Sequence, residues 1–330
     1  MPLVKPECLH HGDTIATVSL ASGCAGDSNM LRKYELGKKR LQDYYNLSVI
    51  AAPNSMRGSE YLAANPKARA EDLIWAFENK SVKAIIANIG GNDSIKLLQY
   101  IDSKTITDNP KIFIGYSDIL NIHLLAYKAG LSTFYGHNLL TTIADGDAYH
   151  PYSDKWFGKV LFEPSAVIGE IEPFDMPCEI IQGSGIASGR LFGGHTGIMD
   201  IDPGKTDFDG AILFVEDIEE FFTPQCVKTF FRWLGGRGYL SVLNGVVIGK
   251  LNYRKDFSEH AEQIIAVTKQ YGMDHLPIMY GLDFGHTNPQ CIMPFGVSAE
   301  INCEMKTFRI LEPGVSPHIT SGVGYQTDYT

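Results

Sequence analysis

The first 130 residues alternate short apolar runs with amphipathic stretches, and this alternation limits the fold more than any other feature. The apolar runs 82–89 and 112–114 lack the regular polar alternation of a half-exposed strand, whereas 28–45 and 68–78 place apolar residues at helical spacing. Buried strands separated by amphipathic helices are typical of a parallel sheet that helices cover on both faces. The predicted strands are 14–20, 47–52, 82–89 and 112–114, and the predicted helices are 28–45, 68–78, 93–101 and 118–128.

The pattern changes after about residue 149. The stretch 149–185 is rich in proline and lacks clear helical periodicity, which favours a crossing between two domains. We therefore predict an N-terminal α/β domain over 1–165, a crossing over 166–185 and a C-terminal domain over 186–330. The predicted C-terminal elements are strands at 211–215 and 243–248, helices at 223–234 and 258–271, a loop-rich segment at 281–296, and a closing hairpin at 298–304 and 307–311.

Charge and cysteine content exclude several classes of function. The chain of 330 residues has a net charge of −10 and no Lys/Arg run that stands out, so nucleic acids and anionic membranes are not expected partners. Its six cysteines include no C-x-x-C pair, which argues against a zinc site or a disulfide framework. We expect no metal and no cofactor. The N-terminus lacks the apolar core of a signal peptide, so we expect a cytoplasmic protein.

The segment KIFIGYSDILN at 111–121 indicates a strand, a sharp turn and a helix. This places Ser117 at the carboxyl end of a buried strand and at a helix N-terminus, where peptide N–H groups lack intrahelical partners. A serine there can attack a carbonyl, and the same N–H groups can stabilise the resulting oxyanion. The alternative is a turn glycine followed by an N-cap serine, which the motif alone does not exclude.

A serine nucleophile needs a base, which this chain must supply from its ten histidines. His286 is the best candidate, because the segment YGLDFGHTNP places it on a glycine-flanked loop after a short apolar strand. His195, His137 and His275 remain alternatives. His123 lies six residues after Ser117 on the same predicted helix and therefore points away from it.

The base in turn needs an acid, and the segment GAILFVEDIEEFF provides several. The buried run 211–215 ends at Glu216, so this carboxylate also emerges at the carboxyl end of a strand. Its neighbours Asp217, Glu219 and Glu220 are more simply explained as an acidic first turn of the following helix, where they complement the helix dipole.

These segments resemble the serine peptidases of the LD-carboxypeptidase family, which also contains the MccF-type microcin-immunity hydrolases. The combination of GYSD, a later VED and a still later GH carries the resemblance, together with AIIANIGGND and SGRLFGG. It implies a Ser-His-Glu triad of Ser117, His286 and Glu216. It also implies an N-terminal parallel-sheet domain of flavodoxin or glutamine-amidotransferase type, a smaller β-rich α/β C-terminal domain, and a homodimer.

The implied chemistry assigns further groups around the nucleophile. The backbone N–H groups of Asp118 and Gly91 would form the oxyanion hole, and Gly90 would let the chain approach the substrate closely. The second glycine of the α/β-hydrolase motif G-x-S-x-G is Ile119 here, so the turn differs from that of lipases and esterases.

The substrate has two candidates in the family. LD-carboxypeptidases remove the terminal D-alanine from cytoplasmic muropeptide tetrapeptides, whereas MccF-type enzymes cleave peptidyl-nucleotide or aminoacyl-nucleotide conjugates. Trp156 and other aromatic residues between 136 and 189 could hold a base, or they could pack the interdomain crossing. Family members often have asparagine after L-x-G-G, where this chain has His195, a candidate substrate contact.

Two other classes remain open: a non-catalytic ligand-binding protein with this fold, and an α/β enzyme whose Gly90-Gly91-Asn92 loop holds a phosphate.

Overall fold

The computed structural model describes residues 3–251 and 256–318, and it is a mixed α/β protein with two sheets. Its strands are β1 Thr14–Val18, β2 Ser48–Ala51, β3 Val82–Ala87, β4 Ile112–Gly115, β5 Phe134–Tyr135, β6 Gly169–Glu170, β7 Glu179–Gln182, β8 Ile186–His195, β9 Ala211–Glu216, β10 Gly245–Gly249, β11 Ile278–Leu282, β12 Met293–Pro294, β13 Ser298–Asn302 and β14 Thr307–Ile310. Its helices are α1 Leu31–Tyr45, α2 Ser59–Ala64, α3 Pro66–Glu78, α4 Ser103–Thr107, α5 Leu120–Lys128, α6 Pro151–Phe162, α7 Ile198–Ile201, α8 Lys205–Phe208, α9 Pro224–Gly236 and α10 Ser258–Gln270.

The first sheet has the strand order β12-β5-β4-β3-β1-β2. Its neighbouring strands from β2 to β5 are parallel, as predicted, and β12 joins the edge antiparallel to β5. Apolar clusters pack on both of its faces, which explains why β4 is buried at every position. The carboxyl ends of the parallel strands therefore share one edge of the sheet.

The second sheet has the order β6-β14-β13-β8-β9-β10-β11-β7. Its centre, β8-β9-β10-β11, is parallel, and the outer strands are antiparallel. The closing hairpin is confirmed as β13 and β14. The ten-residue strand β8 was not predicted, because polar and glycine residues interrupt the apolar pattern of a strand in its segment ASGRLFGGH.

Two predicted elements differ from the structure. The predicted helix at 93–101 is a 3₁₀ helix over Ser94–Tyr100, and the stretch 149–185 contains the regular helix α6, which begins with Pro151 at its first turn. The proline content of that stretch obscured the helix, although proline is well tolerated at the first helical position.

Strands β6 and β7 lie in the predicted crossing 166–185 and pair with the second sheet, whereas β12 returns to the first. The division into 1–165, 166–185 and 186–330 stays a prediction. No helix within 3–251 or 256–318 is long and apolar enough to cross a membrane.

Candidate active site

Ser117 follows β4 directly, in the turn that leads into α5. It begins a 3₁₀ turn over Ser117–Ile119, and its φ of 70° lies in the left-handed region, which a serine rarely adopts. Such a conformation persists only where the surrounding structure holds it, and it is concentrated at functional sites. Asn138 contributes to this support, because its Oδ1 accepts a hydrogen bond from the peptide N–H of Tyr116 at 3.2 Å.

Three side chains from distant parts of the chain form one hydrogen-bonded series. The distance between Ser117 Oγ and His286 Nε2 is 3.0 Å, and that between His286 Nδ1 and Glu216 Oε2 is 2.8 Å. Glu216 Oε2 also accepts the backbone N–H of His286 at 2.8 Å. Ser117 and His286 are thus within reach of proton transfer, and the carboxylate fixes both the position and the tautomer of the ring.

Burial and charge oppose each other in the Glu216–His286 pair. Glu216 is 2% exposed, and burial by itself raises the pKa of its carboxyl. The charge of His286 and the hydrogen bonds from His286 and Tyr135 more than offset this effect. The pKa of Glu216 therefore lies below its usual range. Burial lowers the pKa of His286, but the Glu216 charge and hydrogen bond reverse this and hold it above the usual value. The site therefore stabilises an imidazolium beside a carboxylate.

Glycines bring a second loop against the nucleophile. A Cβ on Gly90 would lie 2.6 Å from Ser117 Cβ and 2.9 Å from its Oγ, so only glycine fits there. Gly91 and Asp118 line the same cavity as Ser117. Among the described residues, the peptide N–H of Gly91 has no hydrogen-bond acceptor, which leaves it available to a ligand.

The cavity beside Ser117 and His286 has a volume of about 540 Å³. Its polar wall includes Asn92, Thr196 and Asp217, and its apolar wall consists of Met199, Ile218 and Phe221. Phe221 is 63% exposed, so its ring is free to contact a ligand. None of the described residues that line this cavity is Lys or Arg.

His195 lines this cavity at the end of β8, directly opposite Glu216 in the parallel pairing. Its Nδ1 accepts the peptide N–H of Gly197 at 3.0 Å, which leaves Nε2 as the protonated nitrogen of the neutral ring. The other predicted substrate contact, Trp156, does not line the cavity. It is 0% exposed on α6, where it packs in the core beside Tyr152.

The remaining histidines do not contact Ser117. His123 is buried, which lowers its pKa to about 3, and its ring bonds Thr133 and the Gly115 carbonyl. His137 is buried between Tyr149 and the Gln290 carbonyl, and burial lowers its pKa to about 4. His275 lies on the surface beside Asp274.

The acidic neighbours of Glu216 do not form the first turn of a helix, so that interpretation was wrong. Helix α9 begins only at Pro224, with Thr223 as its N-cap and no acidic residue in its first turn. Asp217 instead accepts a hydrogen bond from Thr196, and burial raises the pKa of its carboxyl. Glu219 and Glu220 lie on a loop beside a smaller cavity on the other side of His286.

Tyr135 was not predicted as a site residue, yet its hydroxyl contacts both the nucleophile turn and Glu216. No pattern in the sequence predicts this contact, since Tyr135 and Glu216 are 81 residues apart in the chain. Phe221 was not predicted either, although an aromatic residue so close to the VED motif could have been considered as a ligand contact.

Within the described ranges, no group of three or more His, Cys, Asp or Glu is placed to hold a metal ion.

Family models match both halves of the chain. The LD-carboxypeptidase N-terminal domain matches residues 15–136, and the LD-carboxypeptidase C-terminal domain matches residues 188–301. The chain belongs to the LD-carboxypeptidase family. It is therefore a serine peptidase, and the two matched segments contain Ser117 and Glu216 with His286, respectively.

Individual members of the LD-carboxypeptidase family are similar over most of their length. A probable murein peptide carboxypeptidase from Bacillus subtilis is 29% identical over 330 residues, covering 94% of this chain and 95% of that protein. The microcin C7 self-immunity protein MccF from Escherichia coli is 25% identical over 283 residues, covering 78% and 81%. A crystal structure of a MccF-like protein from Streptococcus pneumoniae in complex with AMP has a TM-score of 0.79 and 29% identity, covering 91% of this chain and 98% of that one.

Proposed function

We propose that this chain is a carboxypeptidase in which Ser117 is the nucleophile and His286 the general base and acid. Glu216 orients the imidazole of His286 and stabilises its protonated form. The observation that carries this proposal is the unbroken series from Ser117 Oγ through His286 to Glu216, which opens into a cavity at its serine end. A member that only binds ligands would not need this alignment of a strained serine, an imidazole and a buried carboxylate.

The reaction would proceed in two stages. Ser117 Oγ attacks the carbonyl carbon while its proton passes to His286 Nε2, and the oxyanion accepts hydrogen bonds from the N–H groups of Gly91 and Asp118. The tetrahedral intermediate collapses as His286 returns the proton to the leaving amine, which leaves an acyl-enzyme. Water then attacks the ester with His286 as base, and the acid product and free serine are released.

For the substrate, we propose a muropeptide tetrapeptide that loses its terminal D-alanine. Supporting this choice, the murein peptide carboxypeptidase from Bacillus subtilis is similar over nearly its whole length. His195 supplies a suitable group for the carboxylate of the leaving residue, because its Nε2–H is a donor on the cavity wall.

The second candidate is a peptidyl-nucleotide or aminoacyl-nucleotide conjugate. It is favoured by the AMP complex of the Streptococcus pneumoniae relative and by the exposed ring of Phe221, on which a base could stack. The lack of Lys and Arg among the described lining residues offers no cation for a phosphate. For this reason we place this candidate second.

The test is a side-by-side digestion of L-Ala-γ-D-Glu-diaminopimelate-D-Ala and a peptidyl-adenylate analogue, followed by mass spectrometry. Release of alanine supports the first candidate, and release of the aminoacyl nucleotide supports the second. The same assay on Ser117→Ala should show a loss of about 10⁴–10⁶ in rate. A fluorophosphonate probe should label the parent protein and not this variant. Activity of Ser117→Ala within tenfold of the parent would refute the nucleophile.

A further inference from the structure

Tyr135 joins the nucleophile turn to the acid through one hydroxyl group. It is the last residue of β5 in the first sheet, whereas Glu216 is the last residue of β9 in the second. The peptide N–H of Ser117 donates to Tyr135 Oη at 3.1 Å, and this hydroxyl donates to Glu216 Oε1 at 2.5 Å. The phenol is 0% exposed and does not line the cavity, so it does not contact substrate.

Both contacts involve groups with little other support. Glu216 Oε2 receives both hydrogen bonds from His286, so Tyr135 is the donor to Oε1 among the described residues. The Ser117 N–H belongs to a residue with a φ of 70°, a conformation that its surroundings must maintain. Without the hydroxyl, a buried carboxylate oxygen and a partly buried peptide N–H would both lose their partners, and each loss is costly.

We propose that Tyr135 is a positioning residue that holds Ser117 and Glu216 in register across the two sheets, so that Ser117 Oγ stays in line with His286 Nε2. This inference rests on the proposed function, since it assigns a role only if these three residues form the catalytic series. The hydroxyl keeps its proton because burial, with the Glu216 charge, raises the pKa of Tyr135 well above its usual value. It therefore acts as a donor to the carboxylate throughout the working pH range.

The experiment compares Tyr135→Phe with Tyr34→Phe. Tyr34 is a matched control, because it is also buried and its hydroxyl is hydrogen-bonded to another side chain. The distance between Tyr34 Oη and Thr17 Oγ1 is 2.9 Å, and neither residue lines the cavity. We expect kcat of Tyr135→Phe to fall about 10–100-fold, as misplacement of a reacting group by up to an ångström does, with KM within about twofold. Tyr34→Phe should retain the kcat of the parent.

The pH profile separates positioning from a purely structural role. Removing the donor leaves more negative charge on Glu216, which favours protonation of the Glu216–His286 pair, so the acid limb of kcat/KM should move to higher pH. Among the described residues, the groups facing this pair include Asp217, whose charge also raises the pKa of His286, and Tyr116, whose ring packs on His286. The carboxylates of Asp145, Glu219 and Glu220 line the smaller cavity on the other side of His286. His195 and Asp217 line the same cavity.

A second variant covers the case in which Tyr135→Phe does not fold. Replacement of Tyr135 by 3-fluorotyrosine keeps the ring and both contacts but makes the hydroxyl a stronger donor, so the acid limb should move to lower pH. An unchanged acid limb with 3-fluorotyrosine, or a Tyr135→Phe variant that matches Tyr34→Phe in kcat and pH profile, would overturn the proposal. If Ser117→Ala retains activity, the proposed function itself fails, which is a separate result.

Discussion

Replacing Glu216 by Gln tests the charge of the proposed triad with almost no change in shape. Glu216 Oε2 accepts two hydrogen bonds from His286, each to a buried oxygen. A hydrogen bond to a charged group contributes about 1.5–3 kcal/mol and a neutral one about 0.5–1.5. Only the bond from Nδ1 acts on the ring, so neutralising its acceptor removes about 1–1.5 kcal/mol of stabilisation from the imidazolium, and each 1.36 kcal/mol is tenfold in rate.

The expected loss is thus about 5-fold to 13-fold in kcat from this hydrogen bond alone. It rises toward ~10⁴ if the amide turns its NH₂ group to His286 and stabilises the wrong tautomer, as happens in the corresponding Asp→Asn change of a Ser-His-Asp triad. The assay is kcat/KM on the substrate identified by mass spectrometry, measured across pH. Glu259→Gln, an exposed change in the first turn of α10, serves as the control and should not alter the rate.

The pH profile gives the sign of the effect. His286 must be neutral to accept the Ser117 proton, and Glu216 holds the pKa of His286 above its usual value. Activity of the parent should therefore fall as the pH drops through a pKa above ~6.5. In Glu216→Gln, burial lowers the pKa of His286 without the Glu216 carboxylate to oppose it, so the acid limb of kcat/KM should move to lower pH. A variant that keeps the parent's kcat, or that performs no worse than Asp217→Asn, would show that another residue is the acid.

Two further predictions follow from the same geometry. Gly90→Ala should reduce kcat by at least ~10-fold, because its Cβ would lie 2.6 Å from Ser117 Cβ. The control is Gly158→Ala within α6, where the nearest atom to the new Cβ lies 3.9 Å away; it should keep the activity of the parent and raise the free energy of unfolding, measured by thermal melting, by about 0.5–1 kcal/mol. Equal activity of the two variants would refute the argument that Gly90 approaches Ser117 too closely for a side chain. Dialysis against EDTA should leave kcat/KM unchanged, because a serine triad requires no Lewis acid; loss of activity that added zinc restores would contradict the serine mechanism.

The sequence predicted four of the six strands of the first sheet, β1 to β4, and the candidate triad, for physical reasons that act locally. Strands buried on both faces must be apolar along their whole length, so β3 and β4 were recognisable, and their loops had to open at the carboxyl edge. Ser117 and His286 follow such strands within a few residues, and Glu216 is the last residue of another. The helix α6 and the strand β8 were missed because proline and glycine, respectively, obscure the periodicity on which these predictions depend.

The tertiary structure alone decided which groups meet. Trp156 and Phe221 are both aromatic residues near a predicted site, but packing of α6 buries the first and leaves the second on the cavity wall. Tyr135 is a second residue whose role the sequence did not predict. It and Glu216 are 81 residues apart in the chain, and their contact joins the ends of two strands from different sheets. Local sequence determines where a strand ends and which residue type stands there. Which strand ends lie against one another depends on how the two sheets pack, and that is a property of the whole chain.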